Sequence, residues 1–352
     1  MATSTLDDLS TKMESSPIES GTNSSIRITH RSERYFYMHL VQIIVRRIRS
    51  HLVKPKKEQR EGSIKLKPQK VIYRTCSVNH RTICDINIYD IIPKRTSEKT
   101  YVKRIYYFCG GGWQSPPSGQ HWQVCAKLAR QMPDTTISIV SYPLAPKNSA
   151  SKSFPALLRL YRELLRQSEE DGHRVILAGD SSGGNIVLSL VLEALREDAM
   201  EAGGEISRDG KRSHTAHPTA LMLVCPSTDL TRSNPDIEKL KHADPILTPD
   251  FIKETAGAWT GDWDPKDPRV SPLYADLSLL AKRGIKVHGV TGGYDILRPD
   301  AIMLREKLEK EGVHGEWLDW DKQMHCFVLT WPYGMREGRE GVGWMVDVLK
   351  KE

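Results

Sequence analysis

Nowhere does this chain stay apolar for the roughly 20 residues that a membrane-crossing helix needs, so no transmembrane span is read. The start, Met1-Ala2-Thr3-Ser4, lacks a basic residue followed by an apolar core. No signal peptide is read, and a cytoplasmic location is expected. Cysteine is sparse. Cys76, Cys84, Cys109, Cys125, Cys225 and Cys326 include no Cys-x-x-Cys pair, and four of them fall in or beside predicted strands. Reduced, mostly buried thiols are expected, without a disulfide framework. Of the twelve histidines, His214 and His217 share a polar stretch but have no further ligand candidates nearby, so no metal is expected. A lone glycosylation sequon, Asn23-Ser24-Ser25, lies in a polar tail and identifies nothing by itself. Net charge is also absent from most of the chain. Residues 1–70 hold 14 Lys and Arg against 7 Asp and Glu, whereas residues 71–352 hold 37 of each. The +7 balance therefore belongs to an N-terminal arm. A nucleic-acid partner is not expected, since its electrostatic footprint would lie on the folded body.

The 352 residues are enough for one large α/β domain with additions, or for two small domains. Residues 1–30 are rich in Ser and Thr, poor in large apolar side chains, and read as a disordered tail. Residues 33–53 form one helical pattern, with Phe36, Leu40, Ile43, Ile44, Ile48 and Leu52 on a stripe and Arg46 and Arg49 off it. Two roles stay open for this helix: a lid over the site, or a basic amphipathic surface lying on an acidic membrane. A Lys-rich connector follows to residue 70. Val71–Val78 and Thr82–Ile92 then alternate like an antiparallel pair. From residue 103 onward predicted strands alternate with predicted helices, which calls for a mostly parallel sheet covered on both faces. Residues 201–218 read as a polar surface insertion.

One stretch organises the rest. Val175–Ala178 is a short apolar strand former, Asn185 to about Met200 reads as a helix, and Gly179-Asp180-Ser181-Ser182-Gly183 joins them. A Gly-x-Ser-x-Gly turn between strand and helix presents its serine on a strained backbone at the positive end of a helix. The plain alternative is a glycine-rich turn with a buried serine. A serine nucleophile needs a base, and the base needs an orienting acid, in chain order Ser, Asp or Glu, His. Thr291-Gly292-Gly293-Tyr294-Asp295 follows the strand predicted at 286–291, with the acid at its C-terminal end, and His325 follows the last predicted strand. Asp295 would fix the imidazole tautomer, and His325 would move the proton. Each has a bland reading too, as a helix cap and as a packed histidine. Gly110-Gly111-Gly112, after the strand at 103–109, can aim backbone N–H groups at a developing oxyanion. Gly110, Gly111 and the N–H of Ser182 are the expected donors.

These segments together resemble the hormone-sensitive-lipase-like branch of the α/β-hydrolase esterases. The resemblance runs over 103–330: Gly110-Gly111-Gly112-Trp113, Tyr142, Leu144-Ala145-Pro146, Phe154-Pro155-Ala156, and Gly179 to Asn185. It continues in Asp267-Pro268-Arg269-Val270-Ser271-Pro272-Leu273, Asp295-Ile296-Leu297-Arg298 and His325-Cys326-Phe327. It implies an α/β-hydrolase fold, here taken as a mostly parallel, doubly wound eight-stranded sheet with a helical cap. The cap would combine the N-terminal arm with residues of about 229–268, and the hydrolase domain would span 71–352. The activity implied is carboxylic-ester hydrolysis through an acyl-enzyme on Ser181, Asp295 and His325, without a cofactor. Two departures stand out: Cys109 where the family carries His, and Pro143 where it usually carries Arg. The long basic arm and the 201–218 insertion also resemble fungal members, including steryl-acetate hydrolases and esterases of secondary metabolism.

The expected substrate is a small-molecule ester with an apolar body, and Trp113, Trp259 and Trp263 are candidate pocket walls. A hydrolase or cyclase acting on a polyketide-like intermediate would use the same triad. A ligand-binding receptor on a disarmed hydrolase scaffold is the alternative from another class. Peripheral membrane contact through 33–53 and a homodimer are compatible with each of these.

Overall fold

A computed structural model describes residues 24–52, 60–94, 102–203 and 216–352. The early elements are β1 (Ile26–Arg31), α1 (Phe36–Leu52), the hairpin β2 (Cys76–Ile83) and β3 (Ile86–Pro93), and β4 (Lys103–Phe108). Then come α2 (Gly119–Gln131), β5 (Thr135–Ser141), α3 (Ala150–Glu170), β6 (Arg174–Asp180), α4 (Ser182–Gly203) and β7 (Ala220–Val224). The short α5 (Asp236–Leu240), α6 (Pro249–Thr260) and α7 (Ser278–Lys282) precede β8 (Lys286–Gly292). The chain closes with α8 (Arg298–Lys310), β9 (Gly315–Trp320) and α9 (Arg336–Lys351).

The strands form one sheet in the order β1-β9-β8-β7-β6-β4-β5-β3-β2. All neighbours run parallel except β2 with β3 and β3 with β5. The central strands are apolar throughout because both faces are covered. Along β6, Val175 and Leu177 pack into one core and Ile176 and Ala178 into the other. On the first face α3 presents Phe154, Leu157, Leu160, Tyr161, Leu164 and Leu165, a helical stripe of period 3.6. On the second face lie α2 and α9, with Val342, Met345, Val346 and Leu349 inward.

The structure corrects the expectation at three places. The tail expected to be disordered over 1–30 ends in β1, whose residues Ile26 to Arg31 pair in register with Gly315 to Trp320. The sheet therefore has nine strands, not eight. Ile26 is fully buried there, and the β-branched Ile26, Ile28 and Thr29 suit an edge strand. The surrounding polar composition hid so short a strand. The first hairpin is also shifted. Residues 70–74 form a 3₁₀ turn, and the hairpin turns at Cys84 and Asp85, both with positive φ (46° and 62°). A two-residue turn of that hand matches the twist of its strands, but it is usually advertised by Asn-Gly or Asp-Gly.

The parallel strands place their carboxyl ends along one edge of the sheet, where α/β folds build their sites. Gly110 follows β4, Ser181 follows β6, Cys225 follows β7, Asp295 follows β8 and His325 follows β9. Over this edge lie α1 and the 229–268 segment with α5 and α6. Thr248 caps α6 by accepting the Phe251 N–H (3.2 Å), with Pro249 at the first helical position. Arg46 of α1 donates to the carbonyls of His242 and Ala243, tying the two covering pieces together.

Candidate active site

Ser181 leaves β6 with φ 52°, a left-handed conformation rare for a residue other than glycine. Its backbone N–H donates to the Val224 carbonyl (2.8 Å), so the turn is pinned to the neighbouring strand end. The flanking glycines permit this crowding. A Cβ at Gly179 would lie 2.5 Å from the Gly183 carbonyl carbon, and one at Gly183 would collide with the Phe108 carbonyl oxygen. Ser182 opens α4, so its N–H has no partner within the helix.

Asp295 is buried and divides its carboxylate. One oxygen accepts the Leu297 N–H (2.8 Å), and the other meets His325 Nδ1 (2.7 Å). The Leu297 bond is a local turn two residues long, since α8 has Leu297 at its N-cap and no side-chain cap bond, so Asp295 does not serve as the helix cap. The loop is braced by Arg298, which grips both oxygens of Asp319 (3.0 and 2.6 Å). Burial of His325 favours its neutral ring, yet the Asp295 charge outweighs that effect and lifts its pKa to about 10. Asp244, fully buried in the covering segment, sits beside this pair. It accepts the N–H of Ile246 (2.7 Å), Leu247 (3.0 Å) and Ile296 (3.1 Å). Burial, followed by the nearby Asp295 charge, pushes Asp244 up to about 7.

Ser181 and His325 line the same cavity, of about 470 Å³. Among the described residues no hydrogen bond links Ser181 to His325. The contact at Nε2 is instead Cys326 Sγ (3.4 Å). Apo geometry of this kind is common where the nucleophile–base contact tightens only around substrate.

The oxyanion assignment changes in one member. The Gly110 N–H donates to Asp180 Oδ1 (3.0 Å) and is not available to a substrate. The N–H groups of Gly111, Gly112 and Ser182 carry no such bond among the described residues. Asp180 is held ionised despite its burial, which alone would raise its pKa. His121 and the Gly110 N–H reverse the balance and lower it. His121 Nε2 lies 3.1 Å from the other Asp180 oxygen, and its Nδ1 accepts the Ser118 N–H (3.0 Å). The imidazole beneath the glycine loop therefore comes from α2, while Cys109 is buried and burial drives its thiol pKa well up. The Tyr142 hydroxyl donates to the Cys109 carbonyl (2.6 Å), fixing the strand end from the other side.

Of the three tryptophans, only Trp113 lines the cavity. Trp259 is fully buried behind it, stacked at 5.9 Å and 10°. Trp263 packs edge-on to Phe154 under the Arg269 guanidinium (3.8 Å), which Asp267 in turn holds. Both are structural supports, contrary to the expected pocket role. The walls are instead Val41, Val45 and Ile48 of α1, Ile246, Leu247 and Phe251 of the covering segment, and Leu329. Sequence reading missed Asp180, His121 and Asp244. The Ser118-x-x-His121 spacing, a helix-start signature, was the one available clue to His121. His217 is not among the cavity walls, and His214 lies outside the described residues. No described helix is long and apolar enough to cross a membrane.

A family model described as an alpha/beta hydrolase fold matches residues 105–329. An esterase of Acinetobacter venetianus is 29% identical over 210 residues, covering 59% of this chain and 62% of that protein's own length. An acetyl-hydrolase of Streptomyces hygroscopicus is 25% identical over 252 residues, covering 71% and 75%. Among solved structures, carboxyl esterase 2 of Tuber melanosporum superposes with a TM-score of 0.69 at 21% identity, over 89% of this chain and 98% of that one. That likeness shows a shared fold.

Proposed function

This chain belongs to the alpha/beta hydrolase family, and from that premise we propose that it is a serine hydrolase of carboxylic esters. The observation that carries the reading is the Asp295–His325 hydrogen bond at a cavity that Ser181 also lines. His325 Nε2 takes the Ser181 hydroxyl proton as the oxygen attacks the ester carbonyl carbon. The oxyanion is met by the N–H groups of Gly111, Gly112 and Ser182. The tetrahedral species collapses, the alcohol departs with the proton from His325, and the acyl group stays on Ser181. Water repeats the sequence and frees the acid. Asp295 holds the tautomer that leaves Nε2 as acceptor and balances the imidazolium.

The size and apolar walls of the cavity favour an ester with a bulky hydrophobic part. An acetyl group on such an alcohol suits it, in keeping with the name of the Streptomyces relative and with the fungal steryl-acetate-hydrolase resemblance. α1 acts as a lid, since Val41, Val45 and Ile48 face the cavity. Its outward Phe36, Tyr37 and Ile44 suit shallow contact with a membrane surface. The receptor alternative is weakened by the intact Asp295–His325 pair.

Hydrolysis of p-nitrophenyl acetate, butyrate and octanoate, beside Ser181→Ala, tests this reading. Activity is expected in the wild type and a loss of at least about 10⁴-fold in the variant. Absence of turnover together with no labelling of Ser181 by a fluorophosphonate would sink it.

A further inference from the structure

Three soft donor atoms converge at the floor of the cavity. Cys225 Sγ, Cys326 Sγ and a ring nitrogen of His325 all lie within 4.8 Å of one another. Cys326 Sγ is 3.4 Å from Nε2, and Cys225 Sγ accepts the Cys326 backbone N–H (3.3 Å). The residues reach this point from two strand ends, Cys225 after β7 and the other two after β9. Both cysteines occupy left-handed backbone, with φ 46° and 51°, a conformation that persists only where the surroundings over-determine it.

The donor set has the features of a metal site. Asp295 engages His325 Nδ1, which leaves Nε2 as the ring nitrogen that faces the Cys326 thiol, the second-shell arrangement typical of a ligating histidine. Two thiolates and an imidazole favour zinc-class ions over calcium or magnesium. Donors around one tetrahedral zinc are about 3.3 to 3.8 Å apart, given bonds of about 2.0 to 2.3 Å. The Cys326–His325 distance already lies in that interval. Asp180 Oδ2, 3.7 Å from Cys326 Sγ, adds negative charge nearby. His325 and Cys326 both face the cavity, which supplies a route and an open fourth position.

We propose that Cys225, Cys326 and His325 form a binding site for a zinc-class divalent cation that switches the hydrolase off by occupying His325 Nε2. On binding, the two thiols release their protons to solvent and ligate as thiolates, and the His325 imidazolium also releases its Nε2 proton and ligates in its neutral form. The switch rests on the base role proposed for His325, whereas the binding does not.

The test uses the full chain, reduced with a phosphine, stripped with EDTA and titrated with Cd²⁺ as an optical probe. One Cd²⁺ per chain is expected, with thiolate-to-cadmium absorption in the ultraviolet that Zn²⁺ displaces. The band should fall by about half in Cys225→Ala and in Cys326→Ala, and should be unchanged in Cys84→Ala, whose thiol is exposed. Cys225→Ser replaces Cys225→Ala if the latter loses its thermal unfolding transition. Hydrolysis of p-nitrophenyl acetate should fall as the site fills and return with EDTA. Whatever hydrolysis Cys225→Ala retains should need at least about 10-fold more ion for half-inhibition than the wild type needs. No band, or a band indifferent to both Cys225 and Cys326, overturns the site. A cysteine-dependent band with hydrolysis undiminished overturns the switch. The same band in a protein that never hydrolyses esters supports the site and counts against the hydrolase reading alone.

Discussion

The turns after β6 and β9 face one another across a single cavity, yet they are held by opposite means. The β6 turn is held by backbone. Glycines let Gly183 sit against the Phe108 carbonyl, and Ser181 is pinned by a main-chain bond to Val224. The β9 turn is held by charge and by acceptors from distant segments: Asp295, Asp244 and Cys225. A backbone-held turn tolerates almost no added volume. A charge-held turn tolerates isosteric change but follows the protonation of its parts.

Gly183→Ala tests the first half and carries the largest expected effect. A Cβ there meets a main-chain carbonyl that cannot step aside, so destabilisation above about 4 kcal/mol is expected by urea unfolding. A variant with an unchanged midpoint would show that the turn is looser than described.

Asp295→Asn tests the second half. A drop in kcat of about 10⁴ is expected with little change in fold, since Asn keeps the shape but not the charge. The pH dependence should change with it. In the wild type the Asp295 charge raises the His325 pKa, so the rise of kcat/KM with pH should lie above the ordinary histidine range. In Asp295→Asn that limb should move down. An unmoved limb would assign the titration elsewhere.

Stability should follow the same charges. Folded His325 holds its proton from the ordinary 6.5 up to about 10, so its contribution is complete below 6.5 and lost as pH climbs to about 10. Asp244 acts in the same direction at lower pH. Its folded form prefers the proton between 3.8 and about 7, so ionising it on the way up also costs stability. Unfolding free energy should therefore decline from about pH 4 to pH 10, and the alkaline part of that decline should flatten in Asp295→Asn.

The smallest effect concerns the lid. Ile48→Ser should raise KM for the octanoate ester by about 3- to 10-fold and leave the acetate ester nearly unchanged. This corresponds to loss of roughly one apolar contact with the longer acyl chain. Equal effects on both esters would remove α1 from the acyl path.

What was legible in the sequence divides along the same line. The Gly179–Gly183 turn, and the strand-end positions of Ser181, Asp295 and His325, depend on local pattern and chain order, and both can be read from one chain. The reassignment from Gly110 to Gly112 could not be read, because it depends on where the Asp180 carboxylate points. The meeting of Cys225 with Cys326 spans 101 residues and leaves no local trace. Trp259 and Trp263 looked like pocket walls because aromatic type says nothing about which side of a helix or loop faces the cavity. The strand β1 was missed for a different reason. Six residues at a sheet edge carry little apolar signal, and the partner that completes them lies nearly 300 residues away.

That pairing also orders events in time. Ile26 waits for Gly315, so the earliest described segment to leave the ribosome pairs with a strand that leaves it almost last. α1, which follows β1 directly and walls the cavity, is therefore seated only once β9 exists. Non-local closure of this kind is slow to form. The covered cavity is thus a late product of folding, and a chain stopped short of β9 would lack both the wall and the histidine that faces it.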